Sequence, residues 1–423
     1  MPAPLRLRWY TVATAVLFVL VAPAAAAQPV ALLPAELSML VAAAIDTHPS
    51  IKRARANRRA ALQDIDAAHR AKWPTVSATT EANVGGADTT SQVAAIRIEQ
   101  TLWDQGAQEA RIAAVTTGAD ISALQLDLEQ QDLAMQTINA WQALLGAQRR
   151  YNAANATVNI IAGFKAQMAR RVDAQASPAI DLELVDARLL QTQVERLSAE
   201  NNVQLALQNL SRLTGITDLS ARPWAAPSQV AAPLTRAGEA AFEAAISRAD
   251  WDTVVQSHPL VTKARLEYSQ VGEQLRAKQA DRWPQAYARI DQPLANNPLT
   301  GSNQATLLVG LRYTPGAGFS TQLEAQALAT RLEAQAFEID KVARTVDQLI
   351  YDDQQTFSVS VAHAAAQSLS LAGSQRVLAS YERQFQAGRK TWHAPSQTSQ
   401  TLMPSRRPTY LRRFSTSGCY RHK

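Results

Sequence analysis

Two histidines sit beside prolines, His48 in "THPSIKRAR" and His258 in "SHPLVTKAR". A histidine pair invites a metal-site reading, but neither has a second ligand at metal-binding spacing. The same residues spell a helix start, with Thr47 or Ser257 as the cap and proline in the first turn. Asp352-Asp353 could be an acid/base dyad, yet a lone acidic pair on a helix reads better as a solvated face. Neither G-x-S-x-G nor G-x-x-x-x-G-K-[ST] occurs. The chain reads as a non-enzyme with no cofactor and no metal.

Two further sets of charges stand out. Arg97, Glu99, Arg289, Asp291 and Arg312 alternate with apolar residues, and Arg170, Arg171, Asp173, Asp181, Arg389 and Lys390 cluster at predicted turns between helices. Charged rings at a constriction can gate a pore and select ions. The elements that would position both sets follow from a repeat. "THPSIKRAR" and "SHPLVTKAR" are 210 residues apart (257 less 47), and so are Trp73-Pro74 and Trp283-Pro284 (283 less 73). The chain is therefore read as two copies of one unit.

In each copy a proline-free window rich in Ala, Gln, Leu, Glu and Arg predicts a long helix. The first runs from about 108 to 172, on the order of 95 Å at 1.5 Å per residue. Its predicted seam is Ile121, Leu124, Leu128, Met135, Ile138 and Leu145, with Gln131 and Gln142 in register; the second is Ile339, Val342, Val346 and Leu349. A helix that long needs neighbours throughout, so a coiled-coil bundle is implied. Ser177-Pro178 breaks the first helix, and a return helix ends near Gly215.

Ahead of each long helix the period changes to two. Strands are expected at 74–84 and 92–103, then at 284–293 and 304–314. Val76, Ala78, Ile96, Ile98, Ala286, Ala288, Ile290, Leu307, Val309 and Leu311 fall on the expected lipid side, and the five alternating charges on the expected lumen side. Trp73, Trp103, Trp283 and Tyr313 bracket the hairpins as a candidate aromatic girdle at one interface. Four strands cannot close a barrel, so several chains must pool them; three chains would supply twelve. The fold class expected is mainly α with membrane β.

The strand-to-helix junction "QTLWDQGAQEARI" at 100–112, the Trp-Pro before each first strand and the tandem copies together resemble the TolC-like outer-membrane efflux proteins. Gln105 stands where that family commonly has a glycine; "YTPGAGF" at 313–319 is a looser match, and "FQAGRKTW" at 385–392 resembles the turn between the family's last long helices. The resemblance implies a homotrimer with one β-barrel in the Gram-negative outer membrane and an α-helical cylinder through the periplasm. It also implies a periplasmic adaptor and an inner-membrane pump of the ABC or RND kind. The "QTLW" wording leans to type I secretion. A soluble periplasmic coiled-coil scaffold without a pore is the rival reading.

The ends complete the expectation. Residues 1–27 have the basic start, apolar core and small-residue close of a signal peptide. The units are then 36–215, a connector at 216–256, a second repeat at 257–392 and a tail at 393–423. Arg406, Arg407, Arg412, Arg413, Arg421 and Lys423 in the tail, without Asp or Glu, equal the net charge of +6. The body is therefore neutral, which argues against a nucleic-acid partner. The only cysteine is Cys419, so no intrachain disulfide can form. Pro395, Pro404 and Pro408 forbid the return helix the repeat calls for, and the tail reads as an out-of-frame end. Without that helix the apolar seam at 319–387 would lack a partner and assembly would be poor.

Overall fold

The computed structural model describes residues 35–82, 92–219, 250–294 and 304–386. The leader at 1–27, the hairpin loops near 85–91 and 295–303, most of the connector, Arg389, Lys390 and the tail lie outside them. The elements are α1 (Ala35–Thr47), α2 (Pro49–Arg70), β1 (Thr75–Ala82), β2 (Gln92–Trp103), α3 (Ala107–Asp173), α4 (Ala179–Thr214), α5 (Trp251–Ser257), α6 (Pro259–Ala280), β3 (Gln285–Pro293), β4 (Thr306–Arg312) and α7 (Ser320–Gln386). A short 3₁₀ turn at Ala317–Phe319 precedes α7.

The repeat is visible in the chain path. Helix, hairpin and long helix recur, and α3 and α7 are each 67 residues long. The four strands make one antiparallel sheet in the order β1-β2-β3-β4. The helices leaving that sheet keep the same order, since α3 packs on α2 and α6, and α6 packs on α7. Strand order and helix order thus describe one open array, with β1 and α2 at one margin and β4 and α7 at the other.

Register refines the offset between copies. Thr75 pairs with Glu99 and Gln285 with Arg312. Thr75 to Gln285 is 210 residues and Glu99 to Arg312 is 213. The second hairpin is therefore three residues longer at its far end, and Arg312 occupies the place of Glu99.

The cores lie between helices. Leu37, Leu40, Ile51, Trp141, Leu144 and Leu210 join α1, α2, α3 and α4. Ile161, Phe164, Met168 and Val185 close α3 on α4 toward the far turn. Val255, Val261 and Val346 tie α5 and α6 to α7. The expected α3 seam is too narrow, because Leu126, Leu133, Trp141 and Leu144 are buried as well. A helix with neighbours on several sides buries more than one stripe. In α7, Leu349 is 48% exposed, contrary to the expected seam, and Ile350 packs against the core. The contact steps from Val346 by four residues to Ile350 instead of by three to Leu349, and both steps lie on one face of a helix of 3.6 residues per turn.

The helix starts also differ from expectation. His48, not Thr47, caps α2: its Nδ1 accepts the Ser50 N–H at 3.3 Å, with Pro49 first in the helix. His258 caps α6 in the same way, accepting from Leu260 at 3.2 Å. The Thr47 hydroxyl instead lies 2.8 Å from the Ala43 carbonyl and 3.0 Å from that of Thr214, which fastens the end of α1 to the end of α4.

A candidate pore-lining sheet

Residues directly opposite in neighbouring strands share a face. Val76, Ile98, Ile290 and Leu307 form one row across the sheet, Ala288 and Val309 part of the next, and Ala286 and Leu311 part of another. With Ala78 opposite Ile96, all ten expected lipid-side residues fall on a single face. Among the described residues no helix covers it. Val76 is 67% exposed, Leu307 69%, Val309 73% and Leu311 74%. A bare apolar sheet face of this kind is unstable in water and needs a partner or a hydrocarbon solvent.

One polar residue joins that face at its helix end. Gln100 pairs with Ala288, and its amide donates at 2.9 Å to the carbonyl of Lys72 in the turn after α2. A bulge between Thr101 and Trp103 then brings Trp103 level with Ala286 on the apolar side. Trp73 and Trp283 sit in matching turns, their N–H groups donating to Arg70 and Ala280 at 2.9 and 3.1 Å. All four girdle aromatics are more than half exposed at the helix end of the sheet.

The opposite face is a charge network. Arg97 donates to Asp291 at 2.7 Å across the β2–β3 junction, and Arg289 lies 2.9 Å from the same carboxylate. Arg312 donates to Glu99 at 2.8 Å, reaching from β4 across β3 to β2. Its guanidinium rests 4.6 Å from the centre of the Tyr287 ring. Tyr287 in turn lies against Gly310, where a Cβ would come within 3.0 Å of the phenol oxygen. All five charges expected on this side are thereby brought together, with Tyr287 and Gly310 added. The two residues gave no sequence signal beyond their parity, since only the pairing register sets glycine opposite tyrosine.

The junction into α3 is built by "WDQG". Asp104 accepts from the backbone N–H of Gly106 at 3.1 Å and of Gln108 at 2.8 Å, capping the helix. Gln105 and Gly106 both take left-handed backbone, with φ of 57° and 78°. That conformation explains why glycine is common where Gln105 stands. The second junction uses Gly316, Gly318 and Phe319 at positive φ instead.

At the far end, Arg170, Arg171, Asp173 and Asp181 surround the turn at 174–178. Arg171 donates to Ser177 at 3.3 Å, and the nearby Lys165–Asp186 pair at 2.6 Å links α3 to α4. Asp352 accepts from Gln348 on the exposed side of α7. Among the described residues no group of His, Cys, Asp and Glu is arranged to hold a metal ion, and no helix is long and apolar enough to cross a membrane.

Residues 40–216 match the family model described as outer membrane efflux protein. No curated relative matches by sequence alone. Among solved structures, the fold is similar to the outer membrane protein VceC of Vibrio cholerae, at 13% identity and TM-score 0.71, covering 90% of this chain and 92% of that one. It is similar to the CmeC outer membrane channel of Campylobacter jejuni, at 11% identity and TM-score 0.69, covering 87% and 80%. It is also similar to CusC, at 12% identity and TM-score 0.72, covering 87% and 86%, whose structures concern folding and transmembrane channel formation. The resemblance carried by the junction residues therefore holds, as does the mainly helical fold with one small antiparallel sheet.

Proposed function

We infer, from a first repeat that matches the outer membrane efflux protein model over residues 40–216, that the protein is a passive outer-membrane exit duct. The observation that carries this is the inverted sheet, whose apolar face is bare while its charges pair on the other side. In hydrocarbon such a sheet is stable only if its edges are closed. Three copies would pool twelve strands, with the Arg97, Glu99, Arg289, Asp291 and Arg312 network lining the lumen and the ten apolar residues facing lipid. The array supports this closure, because among the described residues no further hairpin-bearing helix packs beyond α2 at one margin or α7 at the other. The contact of α3 with α6 inside the chain is the pattern for α7 against α2 of the next copy.

On this reading a signal peptide at 1–27 exports the chain, the hairpin loops face the exterior, and the long helices form the periplasmic cylinder. Arg170, Arg171, Asp173 and Asp181, with Arg389 and Lys390, stand at its constricted tip. An adaptor and an inner-membrane pump, ABC or RND, would deliver cargo there, with type I secretion favoured by the Gln100–Trp103 wording. Fractionation of expressing cells with planar-bilayer recording tests the core of the proposal. Heat-modifiable material in the outer membrane that conducts ions is expected; soluble periplasmic rods without conductance would favour a scaffold and overturn it.

A further inference from the structure

The two copies differ at the turn that enters the first strand of each hairpin. In the first, Lys72 donates to Glu109 at 2.9 Å, and that ammonium holds the Glu109 carboxyl below the usual carboxylate range. In the second, 210 residues on, Arg282 occupies the place of Lys72, and the first turn of α7 offers Thr321 and Gln322 in place of an acid, while Glu324 in the next turn is paired with Lys278. Arg282 is exposed and has no ion-pair partner among the described residues. It lines a cleft of about 150 Å³ with Trp283, Tyr313, Pro315, Phe319 and Gln322. Tyr313 continues the apolar face of Leu307, Val309 and Leu311 at period two. The cleft thus opens at the end of the sheet where apolar surface gives way to helices.

We propose that this cleft binds the headgroup of an anionic phospholipid. A guanidinium pairs with a phosphodiester through parallel N–H bonds, and a planar fork suits that better than the ammonium of the first copy. Gln322 supplies a neutral donor. Trp283 and Phe319, 61% and 66% exposed, supply flat apolar surface for the glycerol and the first methylenes of the chains. The site rests on the membrane reading above for its source of ligand: lipid of the inner leaflet, next to the girdle. A free phosphate would use Arg282 but gain nothing from the rings.

Native mass spectrometry of the full chain in detergent tests it, with phosphatidylglycerol, phosphatidylcholine and inorganic phosphate as probes. Phosphatidylglycerol is expected to be retained about tenfold better than phosphatidylcholine. Arg282→Gln should lose that preference, Lys72→Gln should keep it, and millimolar phosphate should not displace the lipid. Equal retention by the wild type and Arg282→Gln overturns the site, as does equal retention of the two lipids or displacement by phosphate. Fractionation of Arg282→Gln separates this from the duct: outer-membrane localisation is expected to persist. If the wild-type chain is soluble, the duct reading fails while the detergent assay still reports on the cleft.

Discussion

Single residues fix the geometry where chain direction changes. Gly316 has φ 79° and ψ 168°, a region open essentially to glycine alone, and an added Cβ would collide with the Ser320 hydroxyl. Gly318 is left-handed as well, at φ 59°, but has open space around its Cβ position. Gly316→Ala should therefore cost about 1–3 kcal/mol and Gly318→Ala nearer 1, seen as a larger fall in thermal midpoint for the first. His258 carries a second prediction. Burial pushes its imidazole below its ordinary 6.5, and only the neutral ring can accept the Leu260 N–H. A depressed histidine contributes stability that is complete above about 6.5 and lost as pH falls through the lower folded value. The loss is that of one cap, about 1 kcal/mol. His258→Asn keeps a cap that does not titrate, so its thermal midpoint should vary less between pH 7 and pH 5. The sequence showed that a helix began here but assigned the cap one residue early. Thr47 is a better cap by type, but its hydroxyl is taken by the end of α4.

At the scale of elements, the β2–β3 junction joins the two copies, and its polar face holds the densest charge in the sheet. Asp291 lies between Arg97 and Arg289. Asp291→Asn should change stability by no more than about 1 kcal/mol, since these pairs are partly exposed. It removes one negative charge per chain beside two arginines, so cation preference should fall. Reversal potentials in a salt gradient across a planar bilayer would show the shift toward anions. This sheet was largely legible in advance, because a period of two with Val76, Ile98, Ile290 and Leu307 on one side fixes a face wherever register holds. Its irregularities were not. The bulge between Thr101 and Trp103 is a pairing event, and no local pattern announces it. The helices behaved likewise. The ends of α3 fell within a residue of expectation because Gly106 and Ser177-Pro178 mark them. The width of its buried surface did not, since burial depends on how many neighbours arrive from elsewhere in the chain.

For the whole molecule, the free margins decide the outcome. On α2, Ala60 is exposed and is the counterpart of Gln270, which in α6 donates to the Ala114 carbonyl of α3 at 3.3 Å. On α7, Leu323 and Phe337 are each 65% exposed. Ala60→Trp should leave the single chain folded, as judged by helical circular dichroism, yet block union with the next copy, leaving monomers on native gels. The ordering of strands and helices has a further consequence. Its two borders differ, so copies can join only head to tail, and no pair can satisfy itself by facing its twin. Every incomplete assembly keeps one unmatched hem of each kind, whatever its size. Only a closed ring has none, so half-built rings should be rare and short-lived, and a variant spoiled on one border should poison the completion of its intact neighbours.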